Sequence, residues 1–160
     1  MKKVVALFCA CTLLLTMTTA ALATGAPPPP TEGNPAPNNI ASTQYQVGIM
    51  PMGMETLMLT SAANDLRLNS RGQVKMLTNT NTNLISDLIK NTLMLQRWNG
   101  STWVNYVQVT ISAETNFTLN TSSVRNVELG YYYRLQSTHA AYYGAQYKQL
   151  ILTSDYLYID

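Results

Sequence analysis

The feature that most constrains this chain is a two-residue alternation of side chains that point to opposite faces of an extended segment. It is clearest in residues 130–138, which start at a glycine and are rich in strand-forming residues. Tyr131, Tyr133 and Leu135 fall on one face. The other face carries Tyr132, Arg134 and Gln136. The pattern predicts a half-buried strand whose first face points into a core.

Several other segments repeat this alternation, so the predicted strand has neighbours to pair with. Charged residues make up only 11% of the chain, whereas Thr, Asn, Ser and Tyr are abundant. Hydroxyl and amide side chains on solvent faces, with aliphatic and aromatic side chains inside, are typical of an extracellular all-β domain. We therefore expect an antiparallel β-sandwich of about seven to nine strands.

The first residues have the pattern of a secretory signal. Lys2 and Lys3 precede the apolar residues 4–15, and Ala21 and Ala23 form a small-x-small cleavage site. The apolar run is short for a membrane span. The sequence predicts a signal peptide at residues 1–23 that is cleaved near Ala23, and hence a secreted, extracellular protein without a stable membrane anchor.

Removal of this signal changes the chemistry of the chain. Both cysteines, Cys9 and Cys11, lie within it, so the mature protein has no disulfide. The formal charge of +2 also comes from Lys2 and Lys3, and the remaining charges balance. A neutral protein has no field that attracts polyanions, so we expect neither nucleic acid nor an anionic membrane as a partner.

The mature chain divides into two parts. Residues 24–43 are rich in Pro and Asn and poor in apolar side chains, which predicts a disordered leader. Residues 44–160 have the length of one domain and predict the β-sandwich.

A methionine-rich stretch follows the leader. Thioethers at alternate positions can coordinate Cu(I), and they can equally fill irregular space in a core. The candidate ligands are Met50, Met52 and Met54. We expect no cofactor, and keep the Cu(I) site as an alternative.

A hairpin is predicted around Asn99 and Gly100, since Asn-Gly readily adopts the positive φ angles of tight turns. The flanking Trp98 and Trp103 would then approach each other across the strands. The returning strand, residues 103–111, has two alternating faces, and a bend or a change of face is expected near its middle. Polar segments predict loops at residues 79–83 and 121–126, and residues 139–144, which end at Gly144, are predicted to make a turn.

Catalytic constellations are scarce, because the mature chain has one histidine and no cysteine. His139 and Asp155 with a nearby serine would make a triad, but no nucleophile elbow supports it. Glu114 and Glu128 would make a glycosidase pair in a chain that is short and poor in carboxylates. We expect a protein that is not an enzyme, and we expect His139 to be a loop histidine that is structural or merely exposed.

Aromatic side chains at the predicted turns are better candidates for a function. Rings at turns can stack on sugars or bind a protein partner. The candidate ligand-binding residues are Trp98, Trp103, Tyr142, Tyr143 and Tyr147. The alternative interpretation is that the tryptophans clamp the hairpin and the tyrosines cover the sheet. The expected partner is an extracellular protein or a glycan.

Three segments together carry a resemblance to a known family. They are the hairpin of residues 95–104, the strand of residues 130–135 followed by Thr138 and His139, and the closing residues 154–159. In this order they resemble small secreted proteins of Gram-positive bacteria, known as domains of unknown function. The Tyr-x-Tyr-Arg-Leu strand is also similar to the penultimate strand of fibronectin type III and immunoglobulin-like sandwiches. The resemblance implies that fold and transfers no functional residue.

The sequence thus predicts a secreted, non-catalytic β-sandwich that serves as an extracellular or cell-surface binding module. A self-assembling structural protein that uses exposed edge strands is the alternative. A carbohydrate-binding module is a more specific form of the first prediction, and a Cu(I)-binding protein is a further alternative.

Overall fold

The computed structural model describes residues 40–46 and 56–160, and 86% of these residues lie in β-strands. No helix occurs among them, so they include no helical segment that could cross a membrane. The strands are β1 (Ile40–Gln46), β2 (Leu59–Ser70), β3 (Gln73–Trp98), β4 (Trp103–Asn126), β5 (Tyr131–Tyr143) and β6 (Gln146–Ile159). The prediction of an all-β domain is confirmed.

All pairings in the sheet are antiparallel, which the sequence also predicted correctly. The strand order is β1-β2-β3-β5-β6, and β4 pairs with β3 outside this path. The first part of β3 pairs with β2, and its last part pairs with β5, whereas β4 follows β3 along both parts. The long β3–β4 ribbon is therefore the element to which the other strands attach.

The β3–β4 ribbon bends near its middle. The register between the two strands shifts between Asn81 and Ser86, and Thr115 on β4 has a φ of 49°. A bulge of this kind bends a strand and increases its twist. Thr80 before the bend donates a hydrogen bond of 2.6 Å to Asn91 beyond it. The two halves of β3 thus face each other across the interior.

The bend brings the two ends of the sheet together, and the sheet is nearly closed and barrel-like. At the seam between β1 and β6, the Thr43 hydroxyl donates a hydrogen bond of 2.8 Å to the carbonyl of Thr153. β1 begins at Ile40, so its first four residues belong to the leader that the sequence predicts for residues 24–43.

Two apolar clusters fill the interior. The larger one joins residues from all strands except β4, together with Val127. Its buried members are Ala41, Leu66, Val74, Met76, Leu93, Leu95, Val127, Tyr133, Leu135, Leu157 and Ile159. The smaller one, near the bend, contains Leu57, Leu59, Ile89, Leu119 and Ala141. Their removal from water is the main favourable term in folding.

The alternation in residues 130–138 has the predicted outcome. Tyr133 and Leu135 are fully buried, and Tyr131 is half-buried against the larger cluster. The predicted face change in the strand after Trp103 is also confirmed. The register between β3 and β4 shifts at Leu95, and both Tyr106 and Val107 then pack against the core.

Three predicted loops or turns are wrong. Residues 79–83 lie within β3, with Thr78, Thr80 and Thr82 buried, because the Thr/Asn repeat alternates with the period of a strand. Residues 121–126 complete β4. His139 lies inside β5, and the turn between β5 and β6 comes only at Gly144.

The strand count and the finer fold prediction also differ. The described residues form six strands instead of seven to nine, in part because residues 79–83, which were predicted to be a loop, continue the long β3. The predicted sandwich with immunoglobulin-like or fibronectin-like topology is not confirmed. The predicted signal peptide, most of the leader and the three candidate Cu(I) ligands, Met50, Met52 and Met54, lie outside the described residues.

Candidate functional site

The predicted ligand-binding aromatics form two separate groups. Trp98 and Trp103 are register partners at the β3–β4 turn. Tyr142 and Tyr147 are register partners beside the β5–β6 turn, where Tyr142 lies opposite Leu88 of β3. Since ten residues of β3 separate Leu88 from Trp98, the two groups are roughly 33 Å apart at about 3.3 Å per residue. They cannot form one site.

The group at the β3–β4 turn is the larger, because β5 and β6 add rings to it. The centroids of Trp98 and Trp103 are 5.5 Å apart, and Trp103 lies 6.1 Å from Tyr156. Tyr132 continues the row at 5.6 Å from Tyr156 and 4.9 Å from Tyr158. These separations are those of favourable aromatic pairs.

We call this surface the outer aromatic face. It consists of Trp98, Trp103, Tyr132, Arg134, Tyr156 and Tyr158. Two of its rings, those of Trp98 and Tyr156, form a buried base, with 4% and 5% of their surface exposed, whereas Tyr158 is 43% exposed. Trp103 and Tyr132 are half-buried. The face therefore has a fixed base and several rings that solvent reaches.

Arg134 lies within this face, with its guanidinium carbon 4.5 Å from the centroid of the Trp103 ring. Its Nε donates a hydrogen bond of 2.8 Å to Gln96 Oε1, and Gln96 Nε2 donates one of 3.1 Å to Asn105. These bonds orient the guanidinium against the indole. Burial lowers the pKa of Arg134, but the group stays charged because the ordinary pKa of arginine is so high.

Arg134 has no acidic partner among the described residues, whose two ion pairs are Arg67–Asp65 and Arg97–Glu128. Arg97 is a useful contrast. It stacks on Tyr131 at 4.4 Å and is neutralised by Glu128 at 2.7 Å. Arg134 is thus a half-buried cation whose charge no described carboxylate balances, a situation that favours an anionic group of a ligand.

Sequence reasoning found two of the six residues in this face and missed the other four. The alternation in residues 130–136 had already assigned Tyr132 and Arg134 to the face opposite the core. The alternation does not give the register of β6, which places Tyr156 opposite Arg134 and Tyr158 opposite Tyr132. A shift between Arg134 and Gln136 sets this register, and no local pattern revealed it.

The second aromatic group is smaller and more exposed. The rings of Tyr142 and Tyr147 are 4.8 Å apart, and the Lys90 ammonium lies 5.9 Å from the Tyr142 ring. Tyr143 and Tyr147 are 40% and 48% exposed. A half-buried ring and an exposed ring at the two strand ends that flank a turn have no buried aromatic base, so this group is the weaker candidate.

The remaining candidate chemistry is a buried polar network between the two apolar clusters. His139 is fully buried, with Nδ1 at 2.7 Å from the Thr80 hydroxyl and Nε2 at 2.7 Å from the Ser137 hydroxyl. Asn91 extends the network by donating to Thr78 at 2.9 Å and to the carbonyl of Leu119 at 3.4 Å. Buried polar groups are tolerated in a core when they are hydrogen-bonded in this way.

The direction of these hydrogen bonds assigns the tautomer of His139. Because Asn91 donates to a carbonyl through Nδ2, its Oδ1 is the atom that accepts from Thr80. The single Thr80 proton is thereby used, so Thr80 accepts from Nδ1–H of His139. Nε2 is then the bare nitrogen, and Ser137 donates to it. Burial lowers the pKa of His139 to about 4, so this neutral form persists at neutral pH.

The hydrogen-bonded row of Ser137, His139 and Thr80 resembles a serine nucleophile with its general base. A substrate cannot reach this row in the present conformation, because it lies in the core. Ser137 and His139 both have 0% of their surface exposed. An acyl group cannot approach a serine oxygen that no solvent reaches. The hydrogen bonds of His139 go to Thr80 and Ser137, and Asp155 is not among its partners.

The other candidate catalytic pair is not assembled. Glu128 pairs with Arg97, whereas Glu114 lies opposite Leu88, nine residues earlier on β3. The implied separation is roughly 30 Å at about 3.3 Å per residue, far above the roughly 5–10 Å of glycosidase pairs. No group of three or more His, Cys, Asp or Glu side chains is placed to hold a metal ion in the described part of the chain.

The comparisons with known proteins do not add a family to this picture. No protein-family model matches the chain, and a search of curated proteins finds no significant sequence similarity.

Proposed function

We propose that this protein is a secreted, non-catalytic binding module whose outer aromatic face binds a glycan that carries acidic groups. The single observation that carries the proposal is Arg134, a half-buried cation without a described counter-ion, held against Trp103 in a row of aromatic rings. Secretion rests on the signal pattern of residues 1–23. The fibronectin-like or immunoglobulin-like topology stays a prediction from the resemblance of the C-terminal half.

Two properties of the face support a glycan as the ligand. Exposed rings above a buried aromatic base present flat apolar surface, which suits the apolar faces of sugar rings. The rings are fixed before binding, because Trp98 and Tyr156 are buried beneath them. A site that is ordered in advance loses little conformational entropy when a ligand binds.

The charge of the face supports an acidic glycan over a neutral one. Arginine binds carboxylates and sulfates through parallel N–H groups, and Arg134 uses its Nε for Gln96, which leaves its terminal nitrogens for a ligand. Neutralisation of a half-buried cation by the ligand adds a charge-assisted hydrogen bond. We infer that uronic acids or similarly charged sugars are the ligand class.

Affinity electrophoresis of the mature protein in gels that contain polygalacturonate tests this proposal, with the methyl-esterified polymer as the neutral control. We expect retardation by the acidic polymer only. Tyr158→Ala should raise the dissociation constant for the acidic polymer about tenfold, since truncation of an interface anchor costs more than about 1 kcal/mol of binding free energy. Arg134→Gln should remove the preference for the acidic form.

Tyr147→Ala is the matched control, because it also truncates an exposed tyrosine, but on the second aromatic group. It should be retarded like the unaltered protein. Equal retardation of all variants, or none of the unaltered protein by either polymer, would contradict the proposed site.

A further inference from the structure

Among the strands that the structure describes, none pairs with the outer edge of β4. β4 pairs with β3 along its length, and no described strand lies on its other side. Backbone N–H and C=O groups that point away from β3 are therefore available to another strand. Proteins usually protect such edges with charges, prolines or bulges, because a free edge can pair with another chain.

The two halves of β4 differ in this protection. Beyond the bend, Asn116 Oδ1 accepts hydrogen bonds from the backbone N–H groups of Phe117 and Thr118, at 2.8 and 3.1 Å, and Arg125 adds a charge. Residues 107–113, before the bend, contain no charge and no proline. No described side chain forms a hydrogen bond with their backbone. We call residues 107–113 the free edge segment.

The free edge segment has the composition of a pairing strand. Its sequence, VQVTISA, alternates apolar and uncharged polar residues, and four of the seven are β-branched. Val107, Val109 and Ile111 are only half-buried in the single chain. Short segments with high β propensity, no charge and no proline are those that pair most readily between chains. Pairing would also cover the exposed parts of these three side chains.

We propose that the free edge segment pairs antiparallel with the same segment of a second copy of this chain. A two-fold axis at Thr110 places Val109 opposite Ile111 of the second copy and Val107 opposite Ala113. Side chains that point toward the core of one copy then lie beside side chains that point toward the core of the other, and no like charges face each other. The result is one sheet that continues through two molecules. This pairing is independent of the proposed glycan binding.

The interface formed in this way is small. A single pair of short strands buries less surface than the roughly 1,200–2,000 Å² of stable complexes, so we expect dissociation constants in the micromolar range. The dimer should therefore appear only as the protein concentration rises.

Two substitutions separate edge pairing from general destabilisation. Thr110 on β4 and Thr92 on β3 share one hydrogen bond of 3.2 Å between their hydroxyls, so Thr110→Lys and Thr92→Lys lose the same bond. Thr110 lies at the edge and at the proposed axis, where two lysines would oppose each other. Thr92 lies one strand further in.

Sedimentation velocity of the mature protein from about 1 to about 500 µM tests the pairing. We expect the unaltered protein and Thr92→Lys to shift from monomer to dimer, and Thr110→Lys to associate at least tenfold more weakly. Equal weakening of both variants, a protein that stays monomeric throughout, or growth beyond the dimer would overturn the two-fold pairing.

Amide hydrogen exchange of the unaltered protein provides a second test that needs no variant. Those amides of residues 107–113 that point away from β3 should exchange more slowly as the concentration rises, whereas those in residues 117–126 should not change. Protection of residues 107–113 that is already complete in dilute solution would overturn the proposal, because it would mean that the same chain covers the edge.

Discussion

His139 shows how a titratable side chain is kept in the core of this protein. Both ring nitrogens are hydrogen-bonded, to Thr80 and Ser137, and neither of these neutral hydroxyls carries a negative charge that would stabilise a protonated ring. The nearest apolar cluster excludes water. A proton on the buried imidazole is therefore costly, and burial lowers its pKa from 6.5 to about 4.

This shift predicts that the stability of the protein depends on pH. Between about pH 4 and pH 6.5 the unfolded chain binds a proton at His139 and the folded chain does not, so the free energy of unfolding rises with pH in this window. At pH 4 about 3 kcal/mol of the stability present above pH 6.5 should be lost through this residue. Urea unfolding at a series of pH values measures the slope.

His139→Gln is the control for this prediction, since glutamine does not titrate. The variant should be less stable at pH 7 but should show a flatter profile between pH 4 and pH 6.5. The carboxylates titrate in both proteins, so their contribution cancels in the difference. Identical slopes in the two proteins would show that His139 is not the group responsible.

The β3–β4 hairpin differs in detail from the tight turn that Asn99 and Gly100 predict. Residues 99–102 lie between the strands, and Gly100 has a φ of 101°, whereas Asn99 does not adopt a positive φ. Asn99 acts through its side chain, because its Oδ1 accepts from the N–H groups of Ser101 and Thr102, both at 2.9 Å. The turn thereby brings Trp98 and Trp103 into contact.

Asn99→Ala should lower the free energy of unfolding by about 1–2 kcal/mol, because two backbone donors lose their acceptor. Ser101→Ala is the matched control. It removes only the hydroxyl that also contacts Asn99 Oδ1, at 3.0 Å, so its effect should stay within about 0.5 kcal/mol. Chemical denaturation followed by tryptophan fluorescence measures both, and equal effects of the two substitutions would contradict the assigned role of Asn99.

The closure of the molecule depends on contacts between parts of the chain that are far apart in the sheet. Thr78 and Thr80 lie before the bend in β3, and Asn91 lies beyond it. Asn91 bonds to both threonines, and Thr78 in turn contacts Thr121 at 2.5 Å. This polar layer joins the two halves of the ribbon between the two apolar clusters. It fixes the bend in one geometry because each hydrogen bond requires a specific partner.

Asn91→Ala should therefore destabilise the whole fold by about 2–4 kcal/mol, since the buried hydroxyl proton of Thr80 loses its acceptor. Asn79→Ala makes the same substitution on the outer face of β3, where the half-buried Asn79 amide bonds to the side chains of Asn120 and Asn81. Its cost should be below about 1 kcal/mol. Thermal unfolding of the two variants compares them, and a similar loss in both would refute the role of the polar layer.

Several features were predictable from the chain alone because they depend on local geometry. Tyr133 and Leu135 point inward since side chains alternate along any strand, and the contact between Trp98 and Trp103 follows from the turn between them. The face change after Trp103 was likewise visible in the shift of the apolar positions. The all-β class and the antiparallel pairing follow from the same patterns.

Other features depended on contacts between segments distant in the chain. The Thr/Asn repeat of residues 79–83 is polar in composition, and only the facing half of β3 supplies the Asn91 that makes buried threonines favourable there. His139 was likewise predicted to lie in a turn, because its hydrogen-bond partner Thr80 is on another strand and gives no signal in the residues around His139. Likewise, Arg134 on β5 contacts Trp103 on β4 only because of the registers that both strands have with β3. Alternation along one strand fixes which side chains share a face, but register and bending, which have no local signal, fix which residues meet.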